Sequence, residues 1–459
     1  MKIILLSGGS GKRLWPLSNG SRAKQFLKMM CNENGVEESM IQRIWRQLAR
    51  AGLAESSYIA TGKSQTNFIQ SQIENIPPLI IEPERRDTFP AIALAAAYLL
   101  SVEKISLEEI VCVIPVDAYV EDSFFEAIKI FGHALTDSDA SLALLGVKPT
   151  YPSDQYGYIV PVPNDELPHN TRTYDEVDFF IEKPDRDAAT KLIKQGAYWN
   201  CGVFAFKLGY LLQYLTNNGI PFNYEELISQ YCDIPKNSFD YEVVEKTNHI
   251  VVVPYKGMWR DLGTWNTISG IMNANIVGKG MIDNNSINTH LINELELPVV
   301  VAGISNSVVV ASSDGILVAD KMASGHLKEM IKDIDQRPMY EEKHWGHYRV
   351  LDYHKLGNGT EVLTKKINMI QGKNLSYQQH LKRQEVWTIT GGEGELIIDG
   401  QLKHVKPGSV ITIPAGTKHA VKAVTDLQFI EVQMGSQLSE EDIIRFQIEW
   451  SEIEIQNNG

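Results

Sequence analysis

The chain opens on an unbroken apolar run, "KIILL" (2–6), short enough for a strand buried on both faces. A glycine-rich stretch, "SGGSGKRLWPLS" (7–18), follows at once. "ESMIQRIWRQLARAGL" (38–53) then spaces its apolar residues by three and four, which predicts an amphipathic helix. "SSYIAT" (56–61) and "PLIIEP" (78–83) read as strands, and "TFPAIALAAAYLLSVEK" (88–104) as a helix with Pro90 in its first turn. "EIVCVIPVDAYV" (109–120) is a strand running into a loop. This alternation predicts a mostly parallel α/β sheet over residues 1–270, with ligands at the carboxyl ends of its strands.

The pattern shortens over 271–335, where "SINTHLI", "LPVVVAGI" and "SNSVVVASSDGILVAD" predict a small β-rich module. "GHLKEMIKDI" reads as a helix leading out of it, and "DIDQRPMYEEK" as a polar connector. Within 336–459, strands alternate with turns such as Asp399-Gly400 and Pro407-Gly408, as in a small antiparallel barrel.

Composition narrows the chemistry. A formal net charge of −14 argues against nucleic acid or an anionic membrane as partner, while a local cation cluster can still hold a small anion. Four unpaired-looking cysteines suggest neither a disulfide framework nor a cysteine zinc site. No apolar stretch approaches the ~20 residues that span a bilayer. A reducing cytoplasm fits these features.

A strand, a glycine turn and a helix aim backbone N–H groups at a phosphate. The stretch at 7–18 fits neither familiar glycine motif. The P-loop would need glycine where Leu6 stands and Ser or Thr where Arg13 stands. The dinucleotide fingerprint would need its third glycine at Leu14. A plain strand-to-helix turn is the alternative, but Lys12 and Arg13 lie beside the glycines, and Lys24 adds a third cation.

Those residues resemble the signature of sugar nucleotidyltransferases, and "RLWPLS" that of the mannose-1-phosphate guanylyltransferase branch. Further segments follow in the family's order: "EPERRDTFPAIALAA" (82–96), "VIPVDAYVED" (113–122), "YGYI" (156–159), "FIEKPD" (180–185), "YWNCGVFAF" (198–206), "DYEVVEK" (240–246) and "WRDLGTWN" (259–266). The resemblance implies a Rossmann-like α/β nucleotidyltransferase domain, a short β-rich module and a C-terminal cupin β-barrel. It implies transfer of GMP from GTP to mannose-1-phosphate, giving GDP-mannose for surface polysaccharides, in a cytoplasmic homodimer that uses Mg²⁺.

Carried onto this sequence, the resemblance assigns the nucleotide to Leu6, Gly8, Gly9, Gly11, Lys12, Arg13, Glu84, Asp87 and Thr88. Arg13 and Lys24 would hold its phosphates, and Asp117 and Asp261 the Mg²⁺, whose preference is for hard oxygen ligands. Gly157, Glu182, Asn200 and Gly202 would receive the sugar, and Lys183 its phosphate; a surface ion pair is the plainer reading of Glu182 and Lys183. The chain departs from the family at Lys12 (commonly Thr), Ala23 (Pro), "DTF" at 87–89 (Asn-Thr-Ala) and Ala118 (His). Another nucleotide, another sugar phosphate such as a manno-heptose phosphate, or a non-catalytic nucleotide-sugar-binding regulator are the alternatives.

"QQHLKRQEVW" (378–387) and "GSVITIPAGTKH" (408–419) resemble the two cupin motifs. The implied metal ligands are Gln378, His380, Glu385 and His419, for Zn²⁺ or Co²⁺, with Arg383 toward a sugar phosphate. In bifunctional relatives this domain is a phosphomannose isomerase. Here Leu381, Lys382 and Val386 replace three histidines of that motif and Ala420 an arginine, so a purely structural cupin is the alternative.

Overall fold

A computed structural model describes residues 1–9, 12–163, 173–334, 336–439 and 442–457, without the side chains of Lys12 and 454–457. It divides into two compact units. The first holds residues 1–14, 23–66 and 73–275; the second holds 15–22, 67–72 and 276–459.

The first unit is built on a nine-stranded sheet. Strands Leu79–Glu82, Ser57–Gly62, Lys2–Leu6 and Ile110–Pro115 lie side by side and parallel. Ile3, Ile4 and Leu5 are fully buried, as the unbroken apolar run requires. The helix Thr88–Ser101 is buried on nearly every side, which explains why its apolar residues show no polar face. Helix Met40–Arg50 instead buries one stripe, Met40, Ile41, Ile44 and Leu48. Its start is fixed by a capping box, in which Ser39 accepts from the Gln42 N–H and the Gln42 side chain accepts from the Ser39 N–H.

Beyond Ile110–Pro115 the sheet is mixed, which corrects the mostly parallel expectation. Strand Tyr198–Lys207 runs antiparallel between Ile110–Pro115 and Leu142–Val147. Tyr158–Pro161, Asp175–Ile181 and Ile250–Tyr255 add three more antiparallel pairings, while Ile250–Tyr255 runs parallel to Leu142–Val147. Strands covered on both faces read as apolar runs whichever way they point, so periodicity carries no record of direction. Gly202, at φ +73°, lies in the irregularity where Tyr198–Lys207 shifts register against Leu142–Val147.

In the second unit, strands Ile276–Gly278, His290–Asn293 and Ser307–Ser312 pair in parallel, and Gly315–Asp320 adds an antiparallel edge. The expected helix over 325–334 is only a turn at Ala323–His326 and a short helix, Leu327–Met330. The end of the "polar connector" is a strand, since Tyr340–Lys343 is the edge strand of a six-stranded sheet. That sheet and a five-stranded one enclose an apolar core including Leu363, Trp387, Leu396, Val421 and Phe429, the cupin architecture. Residues 15–22 join this unit through Arg22, which donates to both Glu294 oxygens at 3.0 Å, and Asn19, which donates to Asp314 at 2.7 Å. Among the described residues no helix is long and apolar enough to cross a membrane.

Replacing Ser39 by Ala removes a cap worth about 1 kcal/mol. Urea denaturation should show the first unit's midpoint lowered accordingly, while Ser39→Asp, which keeps the acceptor, should stay close to wild type.

Candidate functional site

The glycine turn begins where strand Lys2–Leu6 ends. Its backbone is held from below by a buried amide network: Gln25 donates to the Ser7 carbonyl at 2.9 Å, and Gln65 to the Gly9 carbonyl at 3.0 Å. Thr61 donates to the Gln65 amide oxygen at 3.2 Å. The Ser7 N–H in turn donates to the Ala60 carbonyl at 2.9 Å, so the described part of the turn is tied down through both its carbonyls and this N–H. Gly8 faces the buried carboxylate of Glu82, and a Cβ at Gly8 would lie 2.6 Å from that carboxylate's Oε1. Tyr231 donates to the other oxygen at 2.9 Å, and burial pushes the Glu82 pKa up. Gly11 and the Lys12 side chain lie outside the described residues.

Two carboxylates far apart in the chain meet beside this turn. The Val116 N–H donates to the Leu6 carbonyl at 3.2 Å, which ties the segment carrying Asp117 to the glycine turn. Strand Ala118–Val120 pairs antiparallel with Trp259–Asp261, setting Asp261 opposite Ala118 and next to Asp117. Both carboxylates reach Lys24 Nζ, Asp117 at 2.8 Å and Asp261 at 3.5 Å. Burial alone would lower the Lys24 pKa, but Asp117 and Asp261 outweigh it and raise it. Burial likewise opposes ionisation of Asp117, and Lys24 reverses it, holding the carboxyl below its ordinary range. Gly263 follows closely: a Cβ there would lie 3.1 Å from Asp261 and 3.4 Å from an Arg13 guanidinium nitrogen. Arg13, Lys24, Asp117 and Asp261 are thus one cluster.

A second cluster gathers Gly157, Glu182, Lys183 and Asn200. Lys183, at φ +48°, pairs with Glu182 Oε1 at 2.6 Å, and Glu182 Oε2 is buried without a hydrogen-bond partner among the described residues. A Cβ at Gly157 would collide with that same Oε2. The Asn200 N–H donates to the Gly157 carbonyl at 2.8 Å, and its side-chain oxygen accepts from the Gly202 N–H at 3.0 Å. Its amide donates to Asp240 at 2.6 Å. Burial, and then Asp240, raise the Glu182 pKa to about 7. The geometry of an orphaned, partly protonated carboxyl above a glycine suits a polyhydroxylated ligand.

Asp87, at φ +73°, caps helix Thr88–Ser101 by accepting from the Thr88 N–H. The Thr88 hydroxyl accepts from the Phe239 N–H at 2.8 Å, drawing the helix start toward Asp240. Glu84 is exposed and paired with Arg86. Sequence reasoning did not single out Gln25, Gln65, Glu82, Asp240 or Glu245, whose side chain accepts from the Glu182 N–H at 2.9 Å. Asp240 had a signal, since it opens the quoted "DYEVVEK"; the amides had none beyond the neighbourhood of Lys24.

In the cupin, His380, Glu385 and His419 bring ligand atoms within 4.8 Å of one another, all buried. Gln378 stands opposite His419 in the strand register. Each imidazole turns Nδ1 to a backbone carbonyl, His380 to Asp442 at 2.5 Å and His419 to Thr417 at 3.1 Å. A carbonyl only accepts, so Nδ1 carries the proton and both Nε2 lone pairs face the centre. Burial, then Arg383, lower the His380 pKa to about 4; burial lowers that of His419 as well. Trp387 Nε1 donates to Glu385 and to Glu431, whose pKa is raised to about 7 by burial and by Glu385. A pocket of about 140 Å³ opens on this centre, with Lys343, His344, Lys365 and Arg445 among its lining.

Comparison with known proteins agrees with both halves. The nucleotidyl transferase family profile matches residues 2–276, and that of the mannose-6-phosphate isomerase C-terminal domain matches 333–448. The mannose-1-phosphate guanylyltransferase RfbM of Salmonella typhimurium is 31% identical over 97% of this chain and 96% of its own length. The xanthan biosynthesis protein XanB of Xanthomonas campestris pv. campestris is 30% identical over 97% of each. The alginate biosynthesis protein AlgA of Pseudomonas aeruginosa is 29% identical over 97% of this chain and 96% of its own. Among solved structures, a Thermus thermophilus protein named mannose-1-phosphate geranyltransferase is 27% identical with a TM-score of 0.60, covering 73% of this chain and 99% of that one. With the transferase cluster in the first unit and an isomerase-type cupin in the second, the chain belongs to the mannose-1-phosphate guanylyltransferase family of nucleotidyltransferases, in its long form.

Proposed function

We propose that the first unit transfers GMP from GTP to mannose-1-phosphate, releasing pyrophosphate and giving GDP-mannose, an activated sugar for polysaccharide assembly in the cytoplasm. The observation that carries this reading is the convergence of Asp117 and Asp261 on Lys24 beside the glycine turn. In the reaction an oxygen of the sugar phosphate attacks the α-phosphorus of GTP. The new O–P bond forms as the bond to the β-phosphate bridge breaks, and pyrophosphate departs with the electron pair. The attacking oxygen is already anionic, so no residue need remove a proton.

What the residues supply is position and charge. The glycine turn's N–H groups, Arg13 and Lys24 hold the triphosphate. Asp117 and Asp261 offer hard oxygen donors already held beside one cation, a set that fits Mg²⁺. Bound there, Mg²⁺ would neutralise the two crowded phosphates. Gly157, Asn200, Gly202 and Glu182 receive the mannose hydroxyls, and Lys183 its phosphate. In the cupin, Gln378, His380, Glu385 and His419 would hold Zn²⁺ or Co²⁺, which would supply a Lewis acid for polarising a sugar carbonyl. The orphaned, buried His419 Nε2 is the observation that favours an ion there.

Asp117→Asn should lower pyrophosphate release from GTP and mannose-1-phosphate by at least about a thousandfold, with an unchanged circular dichroism spectrum. Near-normal turnover in the folded variant contradicts the assignment. Running wild type with each NTP and each sugar-1-phosphate then ranks GTP and mannose-1-phosphate against their rivals.

Glu182 gives a pH signature. Its pKa is raised to about 7, so the carboxylate that accepts sugar hydroxyls is lost as pH falls through neutrality. KM for mannose-1-phosphate should rise between pH 8 and pH 6 while KM for GTP follows it less. In Glu182→Gln that dependence should shrink to what the substrate's own phosphate ionisation, near pH 6, accounts for.

A further inference from the structure

Arg383 stands inside the cupin centre. It is 5% exposed, and its guanidinium spans two of the candidate ligands. Nε donates to Glu385 Oε1 at 2.9 Å, and Nη2 to the His380 Nε2 lone pair at 3.2 Å. Nη1 donates to the Ser439 carbonyl at 3.0 Å, which anchors the group from its far side. The same lone pair also faces the Gln378 amide nitrogen at 3.4 Å, while the Gln378 amide oxygen accepts from Ser376 at 2.9 Å. Two N–H groups are therefore directed at one imidazole lone pair, and the amide oxygen expected to serve as a ligand is turned away. Of the two imidazoles, only His419 has an Nε2 without a hydrogen-bond partner among the described residues.

We infer that Arg383 is a built-in competitor for the cupin's divalent ion, so that the centre is folded and charge-balanced without metal and takes up an ion only when the guanidinium withdraws. The inference rests on reading His380, Glu385 and His419 as metal ligands. An ion about 2.1 Å from His380 Nε2 must use the lone pair that Arg383 occupies. Guanidinium does not lose its proton in proteins, so it cannot yield by neutralising. Binding must break two charge-assisted hydrogen bonds and move a cation away from an incoming dication. The exchange also requires Gln378 to reverse its amide.

The test is Co²⁺ titration of the full-length chain, followed by visible absorption and by competition with a chelator. Only the part of the signal that His419→Ala removes is counted, which sets aside ions held by Asp117 and Asp261. Wild type should bind weakly, and its melting temperature should not move with EDTA. Arg383→Gln should bind Co²⁺ at least tenfold more tightly through the same ligands. Wild-type binding within a factor of two of Arg383→Gln overturns the inference and leaves the metal-centre reading standing. No His419-dependent binding in either protein overturns both. Should Arg383→Gln fail to fold, Arg383→Lys replaces it, since one ammonium cannot span His380 and Glu385. Its affinity should still exceed that of wild type, and equal affinity again overturns the inference.

Discussion

The first unit depends on a pairing of two very short strands. Ala118–Val120 and Trp259–Asp261 come from distant parts of the chain, and their antiparallel register makes Asp117 and Asp261 neighbours. Two half-buried carboxylates side by side repel, and desolvation opposes ionisation of Asp117. Lys24 resolves this by sitting between them. Arg13 at the end of the glycine turn, and Lys24 beyond it, thereby meet at the point that the sheet's carboxyl edge supplies. Position and charge balance are one arrangement here.

The cupin meets a related problem with a different cation. His380, Glu385 and His419 converge in a buried space, and Arg383 satisfies two of them. Lysine and arginine differ in what they leave available. A lysine between two aspartates is a compact point charge on a flexible stem, able to swing toward incoming phosphate oxygens. An arginine bonded along a planar fork, with a third contact behind it, moves only by giving up several hydrogen bonds together. The two halves of the chain therefore present cationic placeholders of unequal mobility.

Much of the fold was legible in the sequence where burial is one-sided or complete. Met40–Arg50 showed its stripe, and Lys2–Leu6 its unbroken run. The direction of Tyr198–Lys207 was not legible, because a doubly covered strand looks alike both ways. The module around 325–334 lost most of its helix, since beyond Leu327 only Ile331 among its residues is well buried and packing provides little to extend it. For the site, charged residues in ordered motifs were readable, whereas the amides beneath them were not. Gln25 and Gln65 act through carbonyls brought close only by folding. Glu182 was readable by type, but its shifted titration comes from burial and from Asp240, a neighbour that chain order does not reveal.

The contact between Gly157 and Glu182 bears on how such a pocket diversifies. A Cβ at 157 would take the space of Glu182 Oε2 and crowd the Phe180 ring. No single substitution at 157 is neutral while the glutamate keeps its place, and shortening Glu182 alone leaves a void over the glycine. Changes at these two positions must therefore pass through paired replacements. A mutational library that varies 157 and 182 jointly will sample productive combinations that two separate scans would score as dead ends.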